Sequence, residues 1–380
     1  MKIAVVHSFY SSAQPSGENR VVEDQVRLLR EAGHDVKLVA RHTDSESLTA
    51  GYALRSAFRI ATGWGNSPLQ QIREFQPDIV HVHNLFPNFG THWLGKWNGP
   101  VIVSLHNYRA FCSNGLLYRN GKVCFDCVER GTTSAVVHAC YRDSKAATLP
   151  VALSRRLDRR NVLFGASAVV TTSEGADKIL EPLLSPEIRK TLIPNFGPGK
   201  AREPLVDHDR SGWVAMGRFS AEKGFLELID QWPRTESLTV IGDGELRNEV
   251  LQAATRKGIE VTDPLPIEEL RAKLPRFRGL VFPSRWLEVA PQVVVEAMRV
   301  GLPIVAYQPN VVASLVQSTG TGMEYADAPS LASSLTSVSD RLDQLSERAT
   351  AHYTANWTPE TWLRRMTALY DDVLTESGHP

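Results

Sequence analysis

The chain has 380 residues, more than twice the length of an ordinary domain, so its length predicts two domains. Its 42 Lys and Arg residues balance 42 Asp and Glu residues, which excludes a global field that would attract nucleic acid or an anionic membrane. The apolar fraction of 42% and the charged fraction of 22% are those of a folded globular protein, and they argue against a disordered, collagen-like or coiled-coil chain.

The N-terminus has one lysine and a short apolar run that ends at His7. That run is too short for a signal-peptide core or a membrane span, and no later stretch approaches 18 uninterrupted apolar residues. We therefore expect a cytoplasmic protein whose thiols stay reduced.

The first forty residues show the pattern of a βαβ unit. A β-branched run at 3–6 predicts a strand, a loop rich in Gly, Ser and Pro follows, and apolar residues then recur at helical spacing up to Leu29. Residues 36–40 predict the next strand. Three further short apolar runs predict strands at 79–82, 101–105 and 168–171. Strands that are apolar throughout and alternate with helices are typical of a parallel sheet covered on both faces.

Turn-forming residues at 194–199, followed by a charged stretch, predict the domain boundary. The same alternation then restarts, with strands predicted at 213–216, 238–241, 279–282 and 303–306. We predict an α/β protein with two doubly wound domains, 1–197 and 198–356, and a C-terminal helix at 357–380 that packs back on the first domain. Ligands of such sheets bind outside the carboxyl ends of the strands, so we expect a shared cleft there.

Glu288 and Glu296 lie on either side of a predicted helix start at Pro291. Backbone N–H groups at a helix start favour anions, and a carboxylate within the first turns can accept bonds from hydroxyls. This arrangement suits a ligand that carries both phosphates and sugar hydroxyls.

Together with Gly217-Arg218 and Lys223-Gly224, the paired glutamates resemble glycosyltransferase family 4, the large retaining family of the GT-B fold. The resemblance covers nearly the whole chain and includes a glycine loop at 15–19, a histidine-bearing strand end at 104–107 and a glycine turn at 241–244.

The resemblance implies a catalytic set of His106, Arg218, Lys223 and Glu288. Arg218 and Lys223 would stabilise the charge that grows on the departing nucleoside diphosphate, and this agrees with their place between a strand and a helix. His106 would contact the donor sugar and stabilise positive charge at the reacting carbon through its backbone carbonyl, while Glu288 would position the sugar.

By the same resemblance, Gly17 lets backbone approach a phosphate and Glu296 binds the ribose hydroxyls. The implied donor-binding residues are Gly17, Gly217, Gly242, Asp243, Ala290, Pro291, Gln292, Val293 and Glu296. The sequence shows no nucleophile elbow, no phosphate loop of the Gly-Lys type and no clear Asp-x-Asp motif, so we predict transfer that needs no catalytic metal or other cofactor.

Val289 stands where the family frequently has glycine, which leaves the identity of the donor sugar open. We expect a UDP-hexose first and GDP-mannose second, and as acceptor a hydroxyl of a glycan, glycolipid or natural product. The alternatives are a nucleotide-sugar epimerase or hydrolase on the same fold, and a non-catalytic nucleotide-sugar-binding protein.

All four cysteines lie within an excursion of the first domain at 107–142, namely Cys112, Cys124, Cys127 and Cys140. Two cysteines spaced C-x2-C between two others fit a closed, structural zinc site. Four free thiols or disulfides are the alternatives.

The residues around this excursion are candidates for the acceptor side: His83, Asn84, Tyr108 and Arg109. A helix with four arginines at 155, 156, 159 and 160 forms a basic face, either solvated or in peripheral contact with the inner face of a membrane. We expect no nucleic-acid partner.

Overall fold

Two parallel six-stranded sheets organise the protein, as a computed structural model that describes residues 1–12, 16–155, 162–202 and 210–377. The chain divides into two units. The first unit comprises Met1–Arg119, Cys124–Pro194 and Leu363–Pro380, and the second comprises Asn120–Val123 and Asn195–Trp362. The predicted fold class, α/β with two parallel doubly wound sheets, is confirmed.

The sheet of the first unit has the strand order β2-β1-β3-β4-β7-β8. Its strands are β1 (Lys2–Phe9), β2 (Asp35–His42), β3 (Ile79–Asn84), β4 (Val101–Leu105), β7 (Ala168–Thr171) and β8 (Arg189–Leu192). The short strands β5 (Tyr118–Arg119) and β6 (Lys122–Val123) form a separate two-stranded sheet. Strand β1 pairs in parallel with β2 on one side and β3 on the other, so the strand order reverses between β1 and β3. Strands β1, β3 and β4 are buried almost throughout, as the apolar runs predict for a sheet covered on both faces.

The helices described in the first unit are α1 (Gly17–Glu31), α2 (Thr43–Ser47), α3 (Tyr52–Thr62), α4 (Leu69–Phe75), α5 (Asp126–Glu129), α6 (Thr133–Val137), α7 (Lys145–Ser154) and α8 (Glu174–Leu180). Helix α1 buries Val22, Val26 and Leu29 on one stripe, which is the periodicity seen in the sequence. It ends just before Gly33, whose φ of +87° suits the turn into β2.

The sheet of the second unit has the order β11-β10-β9-β12-β13-β14, the 3-2-1-4-5-6 pattern of a dinucleotide-binding sheet. Its strands are β9 (Trp213–Arg218), β10 (Leu238–Asp243), β11 (Glu260–Thr262), β12 (Gly279–Phe282), β13 (Ile304–Tyr307) and β14 (Gly322–Tyr325). The order reverses between β9 and β12. Loops that leave these two strands therefore lie at the position where such sheets bind ligands.

The helices described in the second unit are α9 (Phe225–Gln231), α10 (Arg247–Lys257), α11 (Ile267–Lys273), α12 (Gln292–Arg299), α13 (Val311–Thr319), α14 (Ala328–Ser339) and α15 (Leu342–Asn356). Short 3-10 helices lie at Ala221–Lys223 and Leu274–Arg276 in this unit, and at Leu94–Lys96 and Glu181–Leu183 in the first unit. Apolar side chains fill both faces of the sheet, with Trp213 and Phe219 on one side and Leu280 and Met298 on the other.

The last helix, α16 (Pro359–Glu376), begins two residues later than predicted. Trp357 is instead the C-cap of α15. Pro359 fits the first turn of α16, and a proline disfavours helical backbone in the residue before it. From Leu363 onward the chain belongs to the first unit. There Tyr370 is fully buried and its hydroxyl lies 2.8 Å from Nδ1 of His81 on β3.

Candidate active site

Arg218, the last residue of β9, contacts a buried carboxylate from the loop that follows this strand. Nη2 of Arg218 donates to Oε1 of Glu222 at 3.0 Å, and the Ser220 hydroxyl donates to the same oxygen at 2.6 Å. Burial opposes ionisation of Glu222, but its hydrogen bonds and the nearby guanidinium hold its pKa below the usual value. The Arg218 side chain remains 49% exposed. An ionised, fixed Glu222 therefore orients a guanidinium that still has donors available to a ligand.

Lys223, from the same loop, pairs with Glu288 from the loop after β12. Nζ of Lys223 lies 2.5 Å from Oε1 of Glu288, which also accepts from the Ser284 hydroxyl at 2.7 Å. The Ser284 backbone is fixed in turn, because Nδ2 of Asn310 donates to its carbonyl at 2.7 Å. Nζ of Lys223 also lies 5.3 Å from the ring centroid of Trp286. The structure thus brings together Lys223 and Glu288, which are far apart in sequence, at the point where the strand order reverses.

Glu296, on α12, is held by two arginines. Oε1 of Glu296 accepts from Arg271 Nη2 at 2.9 Å and from Arg271 Nε at 3.3 Å, and Oε2 lies 3.5 Å from Nε of Arg299. Glu296 and Arg271 side chains are only 10% and 12% exposed. The carboxylate has a fixed orientation, and its two oxygens have more lone pairs than these contacts require.

Four of the predicted donor-binding residues lie just before α12 and in its first turn. Ala290, Pro291, Gln292 and Val293 are all partly exposed, and Pro291 is the N-cap of α12. Nε2 of Gln292 is buried without a hydrogen-bond partner in the described part of the chain. Val289, which stands where the family frequently has glycine, is only 2% exposed.

Three glycines shape the ends of β9 and β10. Gly217 pairs with Gly242 in the parallel register, as Arg218 does with Asp243. A Cβ on Gly242 would lie 2.0 Å from the carbonyl oxygen of Gly217, and one on Gly244 would lie 2.5 Å from that of Phe219. These positions therefore need glycine because backbone approaches backbone. Asp243 is 59% exposed beside this pair.

The replacement Gly242→Ala is expected to destabilise the protein by about 3 kcal/mol, since the neighbouring strand backbone cannot yield to a methyl group at that distance. Urea unfolding followed by circular dichroism measures the change. Gly95→Ala is the matched control, because there the nearest atom is a Phe164 ring carbon at 3.4 Å. Equal stability of the two variants would contradict this explanation of Gly242.

In the first unit, four histidines cluster at the ends of β1, β3 and β4. Nδ1 of His83 lies 2.9 Å from Nε2 of His106, and His81 lies 2.8 Å from both the Tyr370 hydroxyl and the Ser104 hydroxyl. Burial lowers the pKa of His81 and of His106 to about 3 and that of His7 to about 4, and it lowers the pKa of His83 well below its usual value. All four are therefore neutral at pH 7, and His106 acts as a hydrogen-bonding group rather than a cation.

Glu18, beside Gly17 at the start of α1, is a further titratable group near His106. Its Oε2 accepts from Nδ2 of Asn107 at 3.2 Å, while its Oε1 is buried without a hydrogen-bond partner in the described residues. Burial raises the pKa of Glu18 to about 7, against the opposing effects of Asn107 and Arg109. Gly17 is the first residue of α1, and Pro15 of the predicted glycine loop lies outside the described residues.

A cavity of about 110 Å³ in the first unit contains three of the predicted acceptor residues, His83, Asn84 and Arg109, together with His106. Tyr108, the fourth acceptor candidate, does not line this cavity among the described residues and is fully buried. Its position makes it part of the packing under the excursion.

The predicted structural zinc site at the four cysteines stays a prediction. Among the described residues, which include all four cysteines, no three His, Cys, Asp or Glu side chains are arranged to hold a metal ion, and the thiols are free. Polar groups approach three of the thiols: the Cys112 thiol donates to Oδ1 of Asn114 at 2.9 Å, and guanidinium groups lie at two others, Arg119 at Cys124 and Arg155 at Cys127. Burial is the main cause that raises the pKa of Cys140 to about 11.

The sequence analysis assigned no role to four residues of these clusters, namely Glu18, Glu222, Arg271 and Ser284. The spacing of Arg218 and Glu222, four residues apart, could have indicated their pair. Arg271 and Ser284 give no such signal because their partners lie on other elements.

Of the predicted basic face, Arg155 is described, and 156, 159 and 160 lie outside the described residues. No helix in the described ranges combines the length and apolar character that crossing a bilayer requires.

Two family models match the chain. "Glycosyltransferase Family 4" matches residues 15–196, and "Glycosyl transferases group 1" matches residues 210–341. The first range contains strands β2 to β8, and the second contains strands β9 to β14. No curated protein sequence matches the chain.

Solved structures of similar fold cover nearly the whole chain. Sucrose-phosphate synthase from Thermosynechococcus elongatus has a TM-score of 0.72 at 16% identity and covers 99% of each chain. Anabaena HepE in complex with UDP-glucose has a TM-score of 0.61 at 16% identity, and the lipopolysaccharide outer core galactosyltransferase WaaB has 0.59 at 14%; both alignments cover 98% of this chain and 100% of the other. At these identities the similarity shows the fold, GT-B.

Proposed function

The chain belongs to glycosyltransferase family 4, and we propose that it transfers a hexose from a nucleoside diphosphate sugar to an acceptor hydroxyl with retention of anomeric configuration. The observation that carries this proposal is the cluster of Arg218, Lys223 and Glu288 in the loops after β9 and β12. It combines two oriented cations with the Glu288 carboxylate, to which we assign the sugar, at the ligand-binding position of the sheet.

In this proposal the diphosphate lies against Arg218 and Lys223. Glu222 and Glu288 hold the two cations in place before the donor binds, so little reorganisation is needed as charge grows on the leaving phosphate. The unpaired amide of Gln292 and the N–H groups at the start of α12 supply further donors.

We assign the binding of the nucleoside's ribose to Glu296. Its carboxylate, oriented by Arg271 and Arg299, has lone pairs for the two ribose hydroxyls. We propose a UDP-hexose as the donor, supported by the neighbour whose structure contains UDP-glucose, and GDP-mannose as the second choice.

Retention is proposed to proceed on one face of the sugar. The bond from the anomeric carbon to the phosphate oxygen breaks, the acceptor oxygen bonds to that carbon, and the departing phosphate oxygen takes the acceptor proton. This scheme needs no protein nucleophile. The neutral His106 would contact the sugar, and its backbone carbonyl would face the positive charge at the reacting carbon.

The test is a panel of UDP-, GDP- and dTDP-sugars, with released nucleoside diphosphate as the readout, in buffer with and without EDTA. We expect slow release from one donor, a UDP-hexose, that persists in EDTA. Release only in the presence of added metal would contradict the metal-independent scheme, and interconversion of the sugar without release would favour an epimerase.

A further inference from the structure

The described wall of the cavity beside His106 carries more positive than negative charge. Three guanidinium groups line it, those of Arg59, Arg109 and Arg155, and no Asp or Glu is among the described residues of its wall. The two histidines of the wall, His83 and His106, are neutral because burial lowers their pKa.

Two carboxylates interact electrostatically with cavity arginines, but one is already engaged and the other is hard to ionise. Glu46, whose charge reaches Arg59, bonds to Arg41 and accepts from Nδ2 of Asn66. Glu18, near Arg109, bonds to Asn107 and has a raised pKa. Neither carboxylate provides a direct partner for the cavity arginines.

Each of the three arginines has buried N–H groups without an acceptor in the described residues. These are Nε of Arg59, Nε of Arg109, and both Nε and Nη1 of Arg155. Arg59 is 4% exposed and donates once, from Nη1 to the Pro87 carbonyl at 3.0 Å. Burying cationic donors without anionic partners is costly, so an arrangement of this kind fits an anion supplied by a ligand.

The guanidinium of Arg109 is held in position for such a ligand. Its Nη1 donates to the Ser113 carbonyl at 3.0 Å, and its central carbon lies 4.1 Å from the ring centroid of Phe86, which also lines the cavity. Stacking and backbone contacts fix the plane of the group without neutralising its charge.

We propose that this cavity binds a phosphoryl group of the acceptor. The three positive charges are more than the single negative charge of one carboxylate would balance. They match a phosphate or diphosphate, which carries two or more negative charges. That the ligand is the acceptor rests on the proposed function, which places His106 at the reacting sugar. The inference about the anion rests on the cavity alone.

The helices that contribute to the cavity suggest which carrier to test. Arg59 is on α3 and Ser154 ends α7, and these helices expose apolar side chains, with Leu54 at 79%, Phe58 at 61% and Leu149 at 48%. An isoprenyl diphosphate and a soluble sugar phosphate are therefore the two arms of the experiment.

The experiment is calorimetric titration of the full chain with geranyl diphosphate and, separately, with glucose 6-phosphate. Two variants alter the cavity in opposite ways. Arg155→Gln removes a charge, and Ala110→Asp adds the missing carboxylate to the wall. Arg73→Gln, an exposed arginine on α4, is the control.

We expect both cavity variants to weaken phosphoryl binding at least tenfold, and the control to leave it unchanged. The melting temperature of Ala110→Asp should be no lower than that of the wild type, because its carboxylate pairs with the guanidinium groups. If the arginines had only a structural role, this variant would bind the phosphoryl compounds as tightly as the wild type. Tighter binding of geranyl diphosphate indicates a lipid carrier, and tighter binding of glucose 6-phosphate a soluble one.

Lys223→Ala separates this proposal from the proposed function. Phosphoryl binding in the cavity should be unchanged by that replacement, while binding of the nucleoside diphosphate should weaken at least tenfold. Failure of any nucleotide to bind the wild type would overturn the proposed function only. Failure of both phosphoryl compounds to bind, or binding that is unaffected by both cavity variants, would overturn the cavity proposal.

Discussion

Replacement of Lys223 by alanine is expected to lower kcat by about 10²–10³, the usual cost of removing one donor that stabilises transition-state charge. Nζ of Lys223 is fixed 2.5 Å from Glu288 before the donor binds, so its charge is already oriented toward the position assigned to the leaving diphosphate. The change is measured as the rate of nucleoside diphosphate release at saturating donor.

The control for this variant is Lys273→Ala. Lys273 is a 52% exposed lysine of α11 that pairs only at the surface with Glu269, and its removal should leave turnover within twofold. Circular dichroism confirms that both variants are folded. Turnover of Lys223→Ala close to that of the wild type would remove the assigned catalytic role.

The buried histidines are expected to make the protein lose stability in mild acid. In the unfolded chain each histidine has a pKa near 6.5, whereas His81 and His106 have values of about 3 when folded. Between these values the unfolded chain binds a proton that the folded chain does not. The stability from each neutral histidine is therefore complete above pH 6.5 and is lost progressively as the pH falls toward 3.

At pH 5 this linkage amounts to about 2 kcal/mol for each such histidine. His7 and His83 add to the loss, since burial lowers their pKa as well. Glu18 acts in the opposite sense: its raised folded pKa destabilises the protein as the pH rises from about 4.5 to 7, so acid relieves that cost. One carboxyl only partly offsets four histidines.

Urea unfolding at pH 7.5, 6 and 5 measures the effect. We expect the free energy of unfolding to fall by several kcal/mol over this range, with a shallower decline in His81→Asn, and an unchanged decline in the control His138→Gln, whose side chain is exposed. A flat pH profile for the wild type would show that the cluster is not held neutral.

The sequence was sufficient to predict the buried strands and the polar residues that follow them. Arg218 ends β9, and Lys223 and Glu288 lie in the loops that leave β9 and β12. Parallel strands bring their carboxyl ends to one edge of the sheet, so the topology places these residues at the same edge. Strand β8 was missed because its sequence, RKTL, is half-buried and charged rather than continuously apolar. Strand β11 has only three residues.

Contacts between distant segments could not be predicted from spacing. Arg271 reaches Glu296 from a separate helix, and Tyr370 reaches His81 across most of the chain, so neither pair shares a local pattern. The cysteine spacing suggested zinc, but spacing does not reveal that Arg119 and Arg155 approach the thiols.

The most direct test of the proposed donor site is the affinity for UDP of the wild type, Glu296→Ala, Lys223→Ala and the control Lys273→Ala. We predict one UDP bound per chain, with affinity at least tenfold weaker in Glu296→Ala and in Lys223→Ala because each removes a contact assigned to the nucleotide, and unchanged in the control. Equal affinity for UDP in all four proteins would contradict the assignment of the nucleotide to the loops after β9 and β12.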